Sequence, residues 1–364
     1  MNFTESIHVE LNLKALLANL RQVRRLAPAS KVLAVVKADG YGHGLTRVAG
    51  ALREADGFAV ARIEEGIALR RAGIGHPIVV LQGFQDKEAW NALCHYRLEP
   101  VVHEFSQIEM AARQPALRPW IKFDSGMHRL GMEENEFVAA VERLIPLKPV
   151  LMSHFACADE ESSVTADQLS AFERVTQGFG LPRSCANSAA VLSCPKSHFD
   201  WVRPGLMLYG ISPFPGITGP ALGLQPVMTL KSRVITAKNL AEGESVGYGG
   251  TWTSQRPTRL GVVAAGYGDG YPREVPSGTP VLVEGKRVPL VGRVSMDMIS
   301  VDLTDHPELQ AGAEVVLWGA GLPVEEIARY AGTLPYTLIC GITARVAKVE
   351  MGGGEIHGAR QGCL

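Results

Sequence analysis

The chain has 364 residues, with 36 Lys+Arg against 37 Asp+Glu and a formal net charge of -1, so it carries no electrostatic footprint for nucleic acid or an anionic membrane surface. Its 46% hydrophobic and 20% charged content is that of a folded soluble protein, and its length suits one large domain with a smaller one. No apolar run approaches the roughly 18 residues of a membrane span, and the first residues lack a signal-peptide pattern, so the cytoplasm is the expected location.

In chain order, short apolar runs of strand length recur at 32–37, 58–61, 77–82, 100–103, 120–124, 150–154, 184–187 and 201–203. Helix-patterned stretches such as 63–70 and 166–178 lie between them. The first run, Val32-Leu33-Ala34-Val35-Val36, is apolar without alternation, as a parallel strand covered on both faces must be. Eight strand-then-helix units spell an α/β fold, a closed (β/α)8 barrel of the TIM type, over residues 8–226. From 204 to 226 five glycines and five prolines end regular structure and mark a boundary. Residues 227–364 then read as a mostly antiparallel β domain, with strands at 228–235, 260–265, 280–283, 300–303 and 314–317 and a helix at 324–331. Residues 1–7 are expected to pack with that β domain. Cysteines at 94, 157, 185, 194, 340 and 363 form no Cys-x-x-Cys and no zinc-type spacing, which points to reduced packing thiols and no metal site.

Barrel enzymes carry their reactive residues at the carboxyl ends of the strands. Here those places hold Lys37, Arg62, Gln82, His103, Lys122 with Asp124, His154, Asn187 with Ser188, and Arg203. Each alone is ordinary: a strand-end lysine snorkels, and an Arg-Pro-Gly is a turn. Together they would be costly without a ligand, because converging charges need a partner. The loops after the last two strands supply a hydroxyl at Ser188, close backbone approach at Gly205 and a fixed cation at Arg203, which suits a phosphate. Partial desolvation of Lys37 would free its neutral amine to condense with an aldehyde. A phosphate-bearing aldehyde cofactor follows, and pyridoxal 5'-phosphate is the common one.

The segment Ala34-Val35-Val36-Lys37-Ala38-Asp39-Gly40-Tyr41-Gly42-His43-Gly44 resembles the cofactor-lysine signature of alanine racemases. The resemblance continues through Lys122-Phe123-Asp124-Ser125-Gly126-Met127-His128-Arg129-Leu130-Gly131, Ser153-His154-Phe155-Ala156, Ala186-Asn187-Ser188-Ala189 and Arg203-Pro204-Gly205. It extends to Val246-Gly247-Tyr248-Gly249, Gly266-Tyr267-Gly268-Asp269-Gly270-Tyr271, Ser295-Met296-Asp297 and Tyr336.

The resemblance implies a two-base racemization of L- and D-alanine. Lys37 would carry the cofactor and act on the D face, with Tyr248 as the base on the L face, since the planar carbon must be reprotonated opposite to where it lost its proton. The family's tyrosine comes from a partner subunit, so a homodimer with shared active sites is implied. Arg203 matches the arginine facing the pyridine nitrogen; a guanidinium donates there without surrendering its proton and restrains the electron sink. Tyr41, Asn187, Ser188, Tyr336 and the backbone of Gly205 and Leu206 match cofactor-binding positions, with His154 against the ring. Arg129 and the backbone of Met296 match the substrate carboxylate site. Lys122 matches a position where the family can carry a carbamylated lysine that braces Arg129. Tyr267, Asp297 and Tyr336 match a narrow entrance that favours a methyl side chain. The product would serve as D-alanine for peptidoglycan or enter alanine breakdown.

Two positions depart from the family pattern: Ser184 stands where a histidine often orients the pyridine arginine, and Thr337 stands where a glutamate is frequent. The competing readings are a broader-specificity racemase of the same fold, a basic amino-acid decarboxylase, and a non-catalytic cofactor carrier. Arg203 argues against the decarboxylase, which needs a carboxylate at the ring nitrogen. The 138 residues from 227 onward, with Tyr248, Tyr267 and Met296, argue against the carrier.

Overall fold

The computed structural model describes residues 7–113 and 117–351, which divide into two units. One holds Leu16–Gln225 together with Leu334–Gly341; the other holds Pro226–Thr333 with the described ends 7–15 and 342–351.

The first unit is the expected barrel. After strand β1 (His8–Leu11), eight parallel strands close on themselves: β2 (Lys31–Val35), β3 (Gly57–Val60), β4 (Ile78–Val80), β5 (Glu99–Val102), β6 (Trp120–Lys122), β7 (Val150–Met152), β8 (Arg183–Ser184) and β9 (Trp201–Val202). The seam pairs Lys31 with Trp201 and Val32 with Val202. Residues such as Leu33, Phe58, Val79, Ile121 and Leu151 are fully buried, because a strand sandwiched between barrel interior and helices has no wet face. Helices Leu45–Ala51, Ile63–Arg71, Lys87–Tyr96, Ser106–Arg113, Glu134–Leu144, Ser163–Thr176 and Ser188–Ser193 connect successive strands. The helix expected at 166–178 starts earlier because the Ser162 hydroxyl accepts from the Val164 N–H and caps it.

The second unit is a mainly antiparallel sheet. Its strands are β10 (Met228–Leu240), β13 (Thr258–Val263), β14 (Pro280–Val283), β15 (Lys286–Val291), β16 (Ile299–Asp302) and β17 (Glu314–Trp318), with β11 (Ser245–Val246) and β12 (Trp252–Thr253) forming a separate two-stranded ladder. A register shift between Val234 and Thr236 divides β10, whose first half pairs with β1 and β17 and whose second half pairs with β13. With the β13–β16–β15–β14–β17 order, this makes six strands pair in a ring.

Two boundaries differ from the sequence reading. Strand β1, expected within the barrel domain, pairs instead with Met228–Lys231 of β10 and with β18 (Ala347–Glu350), so residues 8–15 belong to the β unit. Four alternating residues, His-Val-Glu-Leu, make a half-buried strand only when a partner with free edge groups is present, and β10 provides it. Residues 334–341, expected in the β domain, join the barrel unit, where the Tyr336 ring lies 5.9 Å from that of Tyr41. Tyr336 sits on a helix, Pro335–Cys340. The expectation for residues 1–7 falls outside the described residues except for residue 7, as does that for Cys363.

Candidate active site

Lys37 follows β2 and opens an unusual backbone segment. Ala38, Asp39, Gly40, Tyr41 and Gly42 all have positive φ, between 52° and 79°, so the chain makes a left-handed turn. Each non-glycine residue in that conformation costs about 1–2 kcal/mol, and such strain persists only where the surroundings impose it. Here Glu65 accepts the Ala38 N–H (2.7 Å) while also holding the Ala61 and Arg62 N–H groups, and Asp39 accepts the Leu45 N–H (2.8 Å). The turn carries Tyr41 into contact with Tyr209, ring centroids 4.7 Å apart, and places its hydroxyl over Gly205. A Cβ on Gly205 would stand 2.5 Å from that oxygen, so only glycine fits.

Around this turn the barrel mouth gathers cations. Burial and then Arg129 lower the Lys37 ammonium, against Glu65 and Cys340. Lys122, 7% exposed at the end of β6, is pushed down to about 8 by burial and by Arg203, Arg129 and Lys37, with Asp124 opposing. His154 is held well below its ordinary value by burial and the same four cations, so its ring is neutral. Arg129 itself is exposed, on a loop organised by Asp124, whose Oδ1 accepts the N–H groups of Gly126, Met127 and His128 at 3.0 Å. Despite partial burial, those bonds lower the Asp124 carboxyl. The loop's backbone reaches positive φ at Gly126, His128 and Gly131.

Arg203 is 4% exposed, and burial brings its guanidinium down to about 10, still protonated at neutral pH. It donates from Nη1 to Ser184 Oγ (2.6 Å) and from Nη2 to the Ser153 carbonyl (2.6 Å), the Cys185 carbonyl (3.2 Å) and His154 Nδ1 (3.2 Å). Because a guanidinium only donates, His154 Nδ1 must accept, which puts the imidazole proton on Nε2. The Ser184 hydroxyl donates its own proton to the Trp201 carbonyl (2.8 Å) and is thereby fixed as an acceptor toward Arg203. This serine therefore does the orienting that a histidine at that position would do.

Beside Arg203, the Ser188 hydroxyl accepts from the Gly205 N–H (2.9 Å) and the Met207 N–H (3.4 Å), and buried Leu206 starts the short turn Leu206–Tyr209. Asn187 acts locally, its side chain accepting from the Ala190 N–H and capping Ser188–Ser193. Tyr336, raised to about 12 by burial and Asp159, lines up with Tyr41. Lys37, Tyr41, Lys122, Arg129, His154, Ser188, Arg203, Gly205 and Tyr336 thus all belong to the barrel unit.

The remaining site residues lie in the β unit. Tyr248 is 69% exposed on the turn Tyr248–Gly250, flanked by Gly247, Gly249 and Gly250 at positive φ. Tyr267, Met296 and Asp297 stand on two turns joined by backbone bonds: Tyr267 N–H to the Ser295 carbonyl (3.0 Å) and Gly268 N–H to the Met296 carbonyl (2.8 Å).

A lysine whose ammonium is lowered by burial and by Arg129, small donors fit for phosphate and a cationic rim describe a site for an anionic, aldehyde-bearing cofactor and a carboxylate substrate. The family profiles agree: the alanine racemase N-terminal domain matches residues 11–213 and the alanine racemase C-terminal domain matches residues 227–350. The chain belongs to the alanine racemase family. An alanine racemase of Nitrosococcus oceani is 53% identical over 357 residues, covering 96% of this chain and 99% of that protein. The crystal structure of the biosynthetic alanine racemase of Pseudomonas aeruginosa superposes with a TM-score of 0.91 at 45% identity, covering 96% of this chain and all of that one. The Bartonella henselae alanine racemase, solved with covalently bound pyridoxal phosphate, superposes with a TM-score of 0.86 at 29% identity over 95% of this chain and all of that one.

Sequence reasoning missed Glu65, Ser153 and Gln168. Gln168 Nε2 donates to Ser125 Oγ and the His154 carbonyl (both 3.2 Å), and its Oε1 accepts the Ala156 N–H (2.9 Å), which locks the loops after β6 and β7 together. A buried glutamine in an otherwise amphipathic helix was the available signal.

Proposed function

We propose that this alanine racemase family member interconverts L- and D-alanine with pyridoxal 5'-phosphate bound at the barrel mouth through Lys37, moving the α-proton between Lys37 Nζ on one face and Tyr248 Oη on the other. The observation that carries this reading is the left-handed turn that follows Lys37 and sets the Tyr41 hydroxyl over Gly205, beside the Ser188 hydroxyl, with the Lys37 ammonium lowered by burial and by Arg129. The residues present fit the cofactor: a lysine whose ammonium is lowered by burial, a hydroxyl and backbone donors at Ser188, Gly205 and Leu206, and the Tyr41 hydroxyl above Gly205. When bound, the cofactor withdraws electrons from the α-carbon and so acidifies its proton.

The chain's own groups do the rest. Arg203 would donate to the ring nitrogen of the bound cofactor without releasing its proton, which would limit electron withdrawal and favour simple proton return over side reactions. Neutral His154 would pack on the cofactor ring. Arg129 pairs with the substrate carboxylate, since a planar fork matches its two oxygens. Lys122 sits among these cations with its ammonium pushed down to about 8, which leaves an amine open to carbon dioxide; the carbamate, formed with loss of a proton, would brace Arg129. Tyr336 borders the entrance from the barrel unit, and Tyr267, Met296 and Asp297 of a second copy would limit side-chain volume there together with Tyr248.

Tyr248, 69% exposed, is available to complete the barrel site of a second copy, so the working form is a homodimer with shared sites. Among the described residues no helix is long and apolar enough to cross a membrane. A cytoplasmic enzyme supplying D-alanine for peptidoglycan, or feeding alanine breakdown, is the corresponding role.

The test is the decay of optical activity of pure L-alanine with wild type, Lys37→Ala and Tyr248→Phe. Both variants should lose racemization, and hybrid dimers of the two should recover it at one of their two sites. A wild-type rate in Tyr248→Phe would sink the two-base assignment.

A further inference from the structure

In the β unit, Arg345 lies between two carboxylates carried on different turns. Its Nε donates to Asp269 Oδ1 and its Nη2 to Asp297 Oδ1, both at 2.6 Å. Asp269 is 1% exposed and its other oxygen accepts the Gly266 N–H (2.8 Å), closing the turn that holds Tyr267. Asp297 directly follows Met296. The two turns approach so closely that a Cβ on Gly266 would stand 2.2 Å from the Met296 carbonyl oxygen. From the Arg345 side, the Thr343 hydroxyl donates to the Gly268 carbonyl (2.9 Å) and the Thr343 N–H to the Asp269 carbonyl (3.2 Å).

Glycines 266, 268 and 270 make this a segment with little intrinsic rigidity, held by a few backbone bonds. A fork with two separated donors can fix one turn against the other as a single ammonium cannot. The two carboxylates hold the Arg345 guanidinium above its ordinary value, so it stays charged throughout the working pH range. Its inner arm reaches a buried acceptor and its outer arm an exposed one, Asp297 being 55% exposed.

We propose that Arg345 is a positioning residue of the substrate entrance: by bridging Asp269 and Asp297 it sets the distance between Tyr267 and Met296 and so tunes selectivity for small side chains. This rests on the reading above that Tyr267 and Met296 border the substrate. Arg345 touches no reacting atom, and removing it loosens the gate without altering the proton-transfer groups.

The test compares alanine with serine as substrates of the holoenzyme in Arg345→Met, Arg345→Lys, Asp297→Asn and Tyr267→Ala. Arg345→Met should raise the KM for alanine about tenfold while kcat changes less than about threefold, and should cut the alanine-to-serine ratio of kcat/KM about fivefold. Arg345→Lys should recover part of that ratio. Asp297→Asn, which removes only the outer arm, should shift it the same way by less, and serves where Arg345→Met fails to fold. A lowered thermal midpoint with KM and the ratio unchanged in all three overturns the proposal. If Tyr267→Ala also leaves the ratio unchanged, the entrance reading falls with it; if Tyr267→Ala shifts the ratio and the others do not, the clamp alone is wrong.

Discussion

In the barrel unit the Arg203 guanidinium is surrounded by neutral acceptors, the Ser184 hydroxyl, the Ser153 and Cys185 carbonyls and His154 Nδ1, whereas in the β unit Arg345 lies between the carboxylates of Asp269 and Asp297. Both arrangements fix a planar fork, but only the second cancels its charge. Unit charges 4 Å apart at an effective dielectric of about 20 interact by about 4 kcal/mol, so the choice of partner decides how much potential is left for a ligand. Lys122, driven down to about 8 by burial and its cationic neighbours, registers what is left at the barrel mouth. On the reading proposed above, positive charge is left in excess where a phosphate and a carboxylate arrive and is neutralised where it only holds turns together.

The sharpest way to break this contrast is to reduce each arginine to a point charge. Arg203→Lys should lower kcat/KM by about 100-fold, since one ammonium cannot serve Ser184, Ser153 and Cys185 and still donate to a ring nitrogen. Arg345→Lys should cost far less. Equal losses in steady-state kinetics would erase the distinction between a ligand-facing and a structural fork.

Next in size is a pH effect on the cofactor-free chain in carbon-dioxide-free buffer. Lys122 in the folded state gives up its proton near pH 8, while in the unfolded chain it keeps it to the ordinary value of 10.5. Between those values the unfolded state binds more protons, so folding stability should rise with pH there, by about 1–3 kcal/mol, and Lys122→Met should flatten the rise. Denaturant midpoints at a series of pH values measure it. A slope identical in wild type and Lys122→Met would mean that Lys122 does not feel the cluster.

Smaller again is Ser184→Ala, which leaves Arg203 Nη1 without its 2.6 Å acceptor and should cost about 1–2 kcal/mol in the same denaturation measurement. Ser184→Thr, which keeps the hydroxyl, should cost less. If the alanine variant matched wild type, Arg203 would be oriented by the carbonyls alone.

Ala38→Gly should have the smallest effect and the opposite sign. Ala38 is exposed at φ 54°, and glycine in that conformation relieves about 1 kcal/mol of strain, less its greater entropy when unfolded. A modest rise in thermal midpoint is expected; a fall would show that the left-handed turn after Lys37 is not strained.

The barrel was legible because eight apolar runs, each buried on both faces, leave a pattern in the sequence itself. Strands β1 and β18 were not, because four residues each acquire strand character only from pairing: β1 with β10 and β18, and β18 with β1. The membership of Pro335–Cys340 depends on Tyr336 meeting Tyr41, a contact between positions 295 residues apart. At the site, Lys37, Arg203 and Ser188 announced themselves as polar strand ends. Ser184 stood out only as a departure from the family pattern, and its role was not legible, since a serine in a strand has no chemical signature until its hydroxyl is found between Arg203 and Trp201. The left-handed turn was hidden for a different reason: Ala38 and Asp39 do not favour that conformation, and Glu65 and Leu45 impose it from elsewhere in the chain.

The proposal of two acceptors on opposite faces of one carbon is best examined by exchange of the α-proton with solvent deuterium in Tyr248→Phe, followed by NMR on each enantiomer of alanine separately. The expected result is that D-alanine still exchanges through Lys37, without inversion, while L-alanine keeps its α-proton. Exchange of both enantiomers at comparable rates, with racemization intact, would contradict it.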